Sequence, residues 1–361
     1  MRPNFNTMSE TLFLILFIIF IGSLLALDLG AFHKQDHVVT FKESLRSTII
    51  YVSIALLFFF LIRFKGEILH GIHDNQTLIE VSSKYHDQLH LNPDESAYEE
   101  NLLQYRKSLS LQFITGYFIE ETLSIDNIFV MIMIFLSFGV GREYYHRVLF
   151  YGILGAIVLR LIFIMTASAL IQRFHWILLI FGVFLIYSGI KMFLDRNKEE
   201  HVDVKNHVLV RFFAKWNLST DHYDGHNFFT KENGRRLVTP LFIVLLIIEF
   251  SDIIFAFDSI PAIFSVTEDP YIVFMSNIFA ILGLRSLFFM LESVMDKFAY
   301  LKVGVALLLA FIGVKMMLPF IFGKEIISTG ISLIIILTIL VGSIGLSLLF
   351  PPKKEIPVSN E

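Results

Sequence analysis

The run Ile248-Glu249-Phe250-Ser251-Asp252-Ile253-Ile254-Phe255-Ala256-Phe257-Asp258-Ser259-Ile260-Pro261 sets three carboxylates in an otherwise apolar stretch. An ionised group at the centre of a spanning helix costs at least ~2.5–3.5 kcal/mol on insertion scales, so such groups face a cavity or a partner and mark ion paths. A second run has the same character: Phe118-Ile119-Glu120-Glu121-Thr122-Leu123-Ser124-Ile125-Asp126-Asn127-Ile128-Phe129. Costly groups concentrated in two apolar segments predict a helical protein that works inside a bilayer.

Composition agrees. Hydrophobic residues make up 55% of the chain, charged residues 17%, and the mean hydropathy is +0.68, which sets soluble-enzyme readings at a disadvantage. The 39 Phe and 12 Tyr suit a surface facing acyl chains and headgroups. A net charge of −4 over 361 residues gives no reason to expect nucleic acid as a partner. With no cysteine, thiolate metal sites, disulfides and cysteine nucleophiles are excluded, and any metal must be held by O or N ligands. The apolar run Leu12 to Leu27 passes into Asp28-Leu29-Gly30 with no small-x-small cleavage pattern, so it reads as a retained helix.

A spanning helix needs ~20 mostly apolar residues to cross ~30 Å of hydrocarbon. Nine segments qualify, at about 10–28, 46–64, 111–138, 148–170, 175–194, 238–260, 271–293, 301–322 and 329–350. The chain then divides into 1–64, two N-terminal transmembrane helices; 65–110, an acidic extracytoplasmic segment; 111–194, a first three-helix repeat; and 195–237, a basic cytoplasmic loop. A second three-helix repeat, 238–322, and 323–361, the last transmembrane helix and a cytoplasmic tail, complete it. Helical patches are expected around Thr77–Leu89 and Ser96–Lys107.

The positive-inside rule sets the orientation. The stretch 191–237 holds Lys191, Arg196, Lys198, Lys205, Arg211, Lys215, Lys231, Arg235 and Arg236, whereas Thr267-Glu268-Asp269-Pro270 has no basic residue. The first is expected inside and the second outside, which puts the N-terminus outside and the C-terminus in the cytoplasm. Arg173 and Lys324 are exceptions in short external turns.

An internal repeat organises the carboxylates. Leu159-Arg160-Leu161-Ile162-Phe163-Ile164-Met165, followed by Gly189-Ile190-Lys191-Met192, recurs as Leu284-Arg285-Ser286-Leu287-Phe288-Phe289-Met290, followed by Gly313-Val314-Lys315-Met316. Upstream of these lie Glu120-x5-Asp126-Asn127 and Asp252-x5-Asp258-Ser259. Each copy spans three helices, predicted helices 3–5 and 6–8. Three is odd, so the second copy enters from the opposite side, the inverted-repeat plan of secondary transporters, whose ligand site lies near the midplane.

Carboxylate, amide and hydroxyl oxygens suit the hard cations Mn2+, Mg2+ and Ca2+ better than zinc. The candidate metal ligands are Glu120, Asp126, Asn127, Glu249, Asp252, Asp258 and Ser259, with Arg160 and Arg285 balancing their charge and Asp28 and Glu121 beside the path. A purely structural role, acids pairing with those arginines, is the competing reading, and the acids outnumber the arginines. At 100° per residue Glu249 and Asp252 share a helix face while Asp258 points away, so an unwound or kinked turn is expected near Asp258–Pro261. Lys191 and Lys315 are expected to snorkel from helix ends. Asp221-His222-Tyr223-Asp224-Gly225-His226 resembles a metal cluster, but a solvated polar turn is the better reading.

The strings Glu120-x3-Ser124-Ile125-Asp126-Asn127-Ile128-Phe129-Val130, His146-Arg147-Val148-Leu149-Phe150-Tyr151-Gly152-Ile153-Leu154-Gly155-Ala156, Asp252-x5-Asp258-Ser259-Ile260-Pro261-Ala262-Ile263 and Ser276-Asn277-Ile278-Phe279-Ala280-Ile281-Leu282-Gly283-Leu284-Arg285 resemble the TerC/Alx family of bacterial membrane proteins. The resemblance implies a multi-pass protein of the bacterial inner membrane, from a family named for tellurium resistance and linked to Mn2+ export. It also implies that Glu120, Asp126, Glu249, Asp252 and Asp258 occupy positions needed for activity. Ser251 stands where many relatives carry Thr, and the long acidic 65–110 segment departs from the family pattern.

The expectation is therefore an all-α polytopic membrane protein of about nine transmembrane helices with an inverted repeat. It is read as a transporter and not an enzyme, without a tightly bound cofactor, exporting a divalent ion, Mn2+ first and Ca2+ second, by alternating access with proton entry as a coupling. The alternatives are a non-transporting factor for protein insertion or envelope assembly, and a transporter of Ca2+ or protons.

Overall fold

The computed structural model describes residues 10–32, 39–86, 89–195, 208–216, 218–220, 222–232, 234–293, 300–324 and 326–350. Two N-terminal helices, α1 (Glu10–Phe32) and α2 (Phe41–Lys65), are followed by a short cap containing α3 (Asn75–Tyr85). The first repeat is α4 (Tyr98–Phe138), α5 (Arg142–Arg173) and α6 (Ile177–Asp195). After α7 (Val208–Lys215) and the hairpin β1 (Phe229–Glu232) and β2 (Arg235–Val238) come α8 (Pro240–Phe264), α9 (Pro270–Glu292), α10 (Leu301–Phe322) and α11 (Thr329–Leu349). Among the described residues, eight helical stretches are long and apolar enough to cross a membrane, and α1 adds the shorter apolar run Leu12–Leu27. The chain is an all-α polytopic membrane protein, and the small hairpin, whose register pairs Phe229 with Val238, is the element that the hydropathy reading missed.

Local chemistry fixes the helix ends. Thr40 and Glu43 form a capping box at the start of α2, and Arg63 and Lys65 fall in its last turn, where they favour the negative end of the helix dipole. Pro240 and Pro270 open α8 and α9 at positions where no intrahelical N–H partner is needed. Asp269 accepts a hydrogen bond from the Tyr271 N–H at 2.9 Å, and α4 ends on Gly139 at φ 61°, a left-handed conformation that suits glycine.

The helical patch expected around Ser96–Lys107 is helical from Tyr98 onward, as the first turns of α4, which runs unbroken for 41 residues, or about 60 Å at 1.5 Å per residue. That helix passes well beyond the hydrocarbon layer and carries the cap on its projecting turns. One expectation is corrected: the unwound turn expected near Asp258–Pro261 does not form, since α8 stays helical through Pro261. Pro261 lies three residues from the helix end: its missing N–H leaves the Phe257 carbonyl without that donor, and helical bonding resumes beyond it, where the Ser265 N–H donates to the Pro261 carbonyl at 3.1 Å.

The cap is tied to α4 by polar contacts. Arg106 forms a two-pronged ion pair with Glu67 at 2.6 and 2.7 Å, and Asn101 donates to the Asn75 side chain at 2.8 Å and to the Asn92 carbonyl at 2.7 Å. Below it, Phe17, Phe58, Phe113 and Phe279 join α1, α2, α4 and α9 in one aromatic cluster. At the other end of the bundle, the Tyr223 hydroxyl donates to the Phe138 carbonyl at 2.9 Å and fastens the hairpin region to α4.

Helix α9 is almost wholly buried and forms the axis of the bundle, packed by α4, α2 and α5. Helix α4 packs on α9 as α5 packs on α8, and α6 packs on α10. These pairings are interchanged when the first repeat is matched to the second. The α6–α10 seam has the same property at atomic scale. A Cβ on Gly189 would lie 2.7 Å from the Ala306 carbonyl oxygen, and one on Gly313 would lie 2.6 Å from the Gly182 carbonyl oxygen. Gly189 corresponds to Gly313 and Gly182 to Ala306, so one close approach is the repeat image of the other, on helices that run antiparallel.

Candidate functional site

The site forms where α4 crosses α8, with Arg160 of α5 at its centre. Arg160, fully buried, pairs with Glu120, with Asp252 (Nη2 to Oδ1, 3.0 Å) and with the Asn277 side-chain oxygen at 2.9 Å. Asn127 donates to the same Asp252 oxygen at 2.9 Å. One guanidinium therefore bridges a carboxylate from each repeat, which offsets part of the desolvation cost of burying all three charges.

Beside this bridge is a cavity of ≈ 20 Å³, room for about one water-sized occupant. Glu120, Ser124, Asp126 and Asn127 line it from α4, and Asp258 and Ser259 from α8. Five buried oxygens on these residues have no hydrogen-bond partner: Glu120 Oε2, Ser124 Oγ, Asn127 Oδ1, Asp258 Oδ1 and Ser259 Oγ. Unsatisfied buried oxygens are costly and rare, and a group of them around one small cavity calls for a water or an ion between them. Among the described residues, no three Asp, Glu or His side chains converge closely enough in this conformation to enclose a metal ion.

The predicted ligands therefore divide. Glu120, Asp126, Asn127, Asp258 and Ser259 meet at the cavity, whereas Asp252 is turned to Arg160 and Asn127. Glu249 lies against Gly155 of α5 and lines a separate cavity of ≈ 10 Å³ with Asp252 and Arg285, so it is not brought to the first cavity. The continuous path of α8 explains this, since its faces stay about 100° apart per residue. Glu121 accepts a hydrogen bond from Tyr117 and faces Gly283 of α9, away from the cavity. Asp28 falls within α1, but its side chain lies outside what the structure describes.

The two lysines divide: Lys191 is exposed near the end of α6, within electrostatic range of Asp258, whereas Lys315 is buried in α10 and does not snorkel. In the polar turn, Asp221 lies outside the described residues, His222 contacts Thr220 at 2.7 Å, and the His226 ring packs on Tyr144.

Residues not singled out in the sequence complete the picture. Ser124 is a hydroxyl one turn from Glu120, and Asn277 is an amide inside an apolar span, a detectable signal of the same kind as the acids. At the cap end, His70 meets Asp269 at 2.9 Å, His86 lies 3.7 Å from the same oxygen, and Gln112 joins His86 at 3.3 Å to Thr267 at 2.7 Å. Burial pushes the His86 pKa down to about 4, so His86 is neutral at pH 7. Burial raises Asp269, but the charge and hydrogen bond of His70 more than offset this and hold it below the ordinary carboxylate range.

Fold and site define a polytopic membrane protein with a charged site buried between two repeated helical units. Residues 105–355 match the integral membrane protein TerC family, and the chain belongs to that family. It is 47% identical over 300 residues to an uncharacterised membrane protein of Myxococcus xanthus, covering 83% of this chain and 81% of that one. It is 38% identical over 326 residues to a membrane protein of Rickettsia bellii, covering 90% and 93%. It is also 51% identical over 209 residues to Escherichia coli Alx, provisionally described as a membrane-bound redox modulator; that match covers 58% of this chain and 64% of Alx. No solved structure matches the chain.

Proposed function

We propose that the protein exports a divalent metal ion, Mn2+ first and Ca2+ second, from the bacterial cytoplasm across the inner membrane by alternating access. The carrying observation is the set of five unpartnered oxygens around a cavity of one-ion size, with Asp126 beside them. This donor set, carboxylate, amide and hydroxyl without imidazole or thiolate, suits a hard cation. In the present conformation Arg160 holds Glu120, so occlusion of an ion would draw Asp126, Asp258 and their neighbours inward.

The reciprocal α6–α10 seam supports an inverted repeat, in which rocking of one unit against the other exposes a midplane site to each side in turn. Basic residues on the hairpin side favour a cytoplasmic position for that end and an external one for the cap. A carboxylate that releases the metal can take up a proton in its place, and we propose proton entry as the coupling. A redox effect like that in the name of Alx could not arise from thiol exchange by this chain, since it has no cysteine.

Binding tests the reading. Electron paramagnetic resonance of free Mn2+ titrated with the purified protein should report one saturable site, lost in Asp126→Asn and Asp258→Asn variants that stay monodisperse. Unchanged uptake by both variants would contradict it.

A further inference from the structure

A cavity of ≈ 640 Å³ opens at the cap end of the bundle. Its floor is set by Leu111 and Gln112 of α4, Phe264 of α8, and Lys315 and Met316 of α10. Lys84 and Lys107 stand at its sides.

Its position breaks the repeat. Lys191-Met192 in α6 corresponds to Lys315-Met316 in α10, and Asp258 to Asp126. Met192 lines the small carboxylate cavity, and Lys191, exposed beside it in sequence, lies within electrostatic range of Asp258. Their counterparts Lys315 and Met316 line the wide cavity and not the small one. The two repeats are thus packed differently around the carboxylates, and the half that is displaced is the half where the wide cavity opens. Between its floor and the carboxylates lie Ile119, Ile260, Ile263 and Ile312, all buried in one apolar cluster. Each lies in sequence between residues of the floor and residues of the small cavity, which makes a thin apolar layer between the two cavities.

We infer that the wide cavity is the extracytoplasmic limb of the ion path, sized for a hydrated divalent cation, and that it is open here while the opposite limb is closed at Met192. The other state follows when the repeats exchange packing, so that Met316 closes over Asp126 and water reaches Met192. This inference rests on the transport reading above, but its test does not require a metal.

The chain has no cysteine, so single thiols report on one position without prior engineering. Met316→Cys, Leu111→Cys and Met192→Cys would be made in the full chain, reconstituted in vesicles of known orientation, and exposed to a membrane-impermeant maleimide in metal-free buffer. Full labelling after denaturation confirms that each thiol is present, and monodispersity that each variant is folded. From the cap side, Met316→Cys and Leu111→Cys should label at least about tenfold faster than Met192→Cys labels from either side, since thiol reactivity follows access to water. Equal rates at Met316 and Met192, or two floor positions inert from the cap side, would overturn the inference. Added Mn2+ should then slow labelling at the floor. Rapid floor labelling that Mn2+ leaves unchanged keeps the limb and counts against the metal reading instead.

Discussion

Arg160 meets Glu120 from one repeat and Asp252 from the other, so the charge balance of the site depends on the α4–α8 crossing. Removing the cation would leave two buried carboxylates uncompensated. Arg160→Gln is expected to destabilise the protein by on the order of 3–5 kcal/mol, read as a large fall in melting temperature in detergent. A melting curve like that of the unchanged protein would mean that the bridge is not structural. The acids and this arginine were legible in the sequence because ionisable groups stand out in apolar runs. Their division between two cavities was not legible, since it depends on which face of α8 meets α5, and the sequence near Pro261 pointed to a broken turn. The His70–Asp269–His86 cluster was also hidden, because its members come from chain segments far apart and lie outside the apolar spans.

At the scale of elements, the α6–α10 seam depends on glycines that bring backbones together. Gly313→Ala forces its Cβ against the Gly182 carbonyl, and a cost of about 1–3 kcal/mol is expected, with a matching loss from Gly189→Ala against Ala306. Thermal unfolding of both variants checks this, and a loss in one alone would count against the reciprocal seam. Helix positions were readable from hydropathy, since the spans at 301–322 and 329–350 match α10 and α11 to within a residue. The length of α4 was not, because its first turns are polar and helical periodicity there carries no lipid signal. The burial of Lys315 escaped the same reading, since a lysine near a helix end ordinarily reaches the interface.

For the whole molecule, the cap is fastened by groups that titrate. The folded cap holds His86 neutral with a pKa of about 4 against an ordinary 6.5, so between those values the unfolded segment binds more protons. Stability from this source is complete above about pH 6.5 and falls as the pH drops toward 4; Asp269, held low, gives way only below its ordinary 3.8. Hydrogen exchange over Asn75–Tyr85, corrected for intrinsic rates, should show faster opening at pH 5 than at pH 7, and His86→Gln should flatten that difference. A pH-independent rate in the unchanged protein would contradict the assignment.

The cavity between α4 and α8 is proposed to carry a divalent metal ion. Mn2+ flux into proteoliposomes holding a metal-quenched dye tests it most directly, comparing the unchanged protein with folded Asp126→Asn and Asp258→Asn. Quenching by the unchanged protein that both substitutions abolish is the expected result. An absence of flux, or flux that survives both substitutions, would contradict it and favour a structural role for the buried acids.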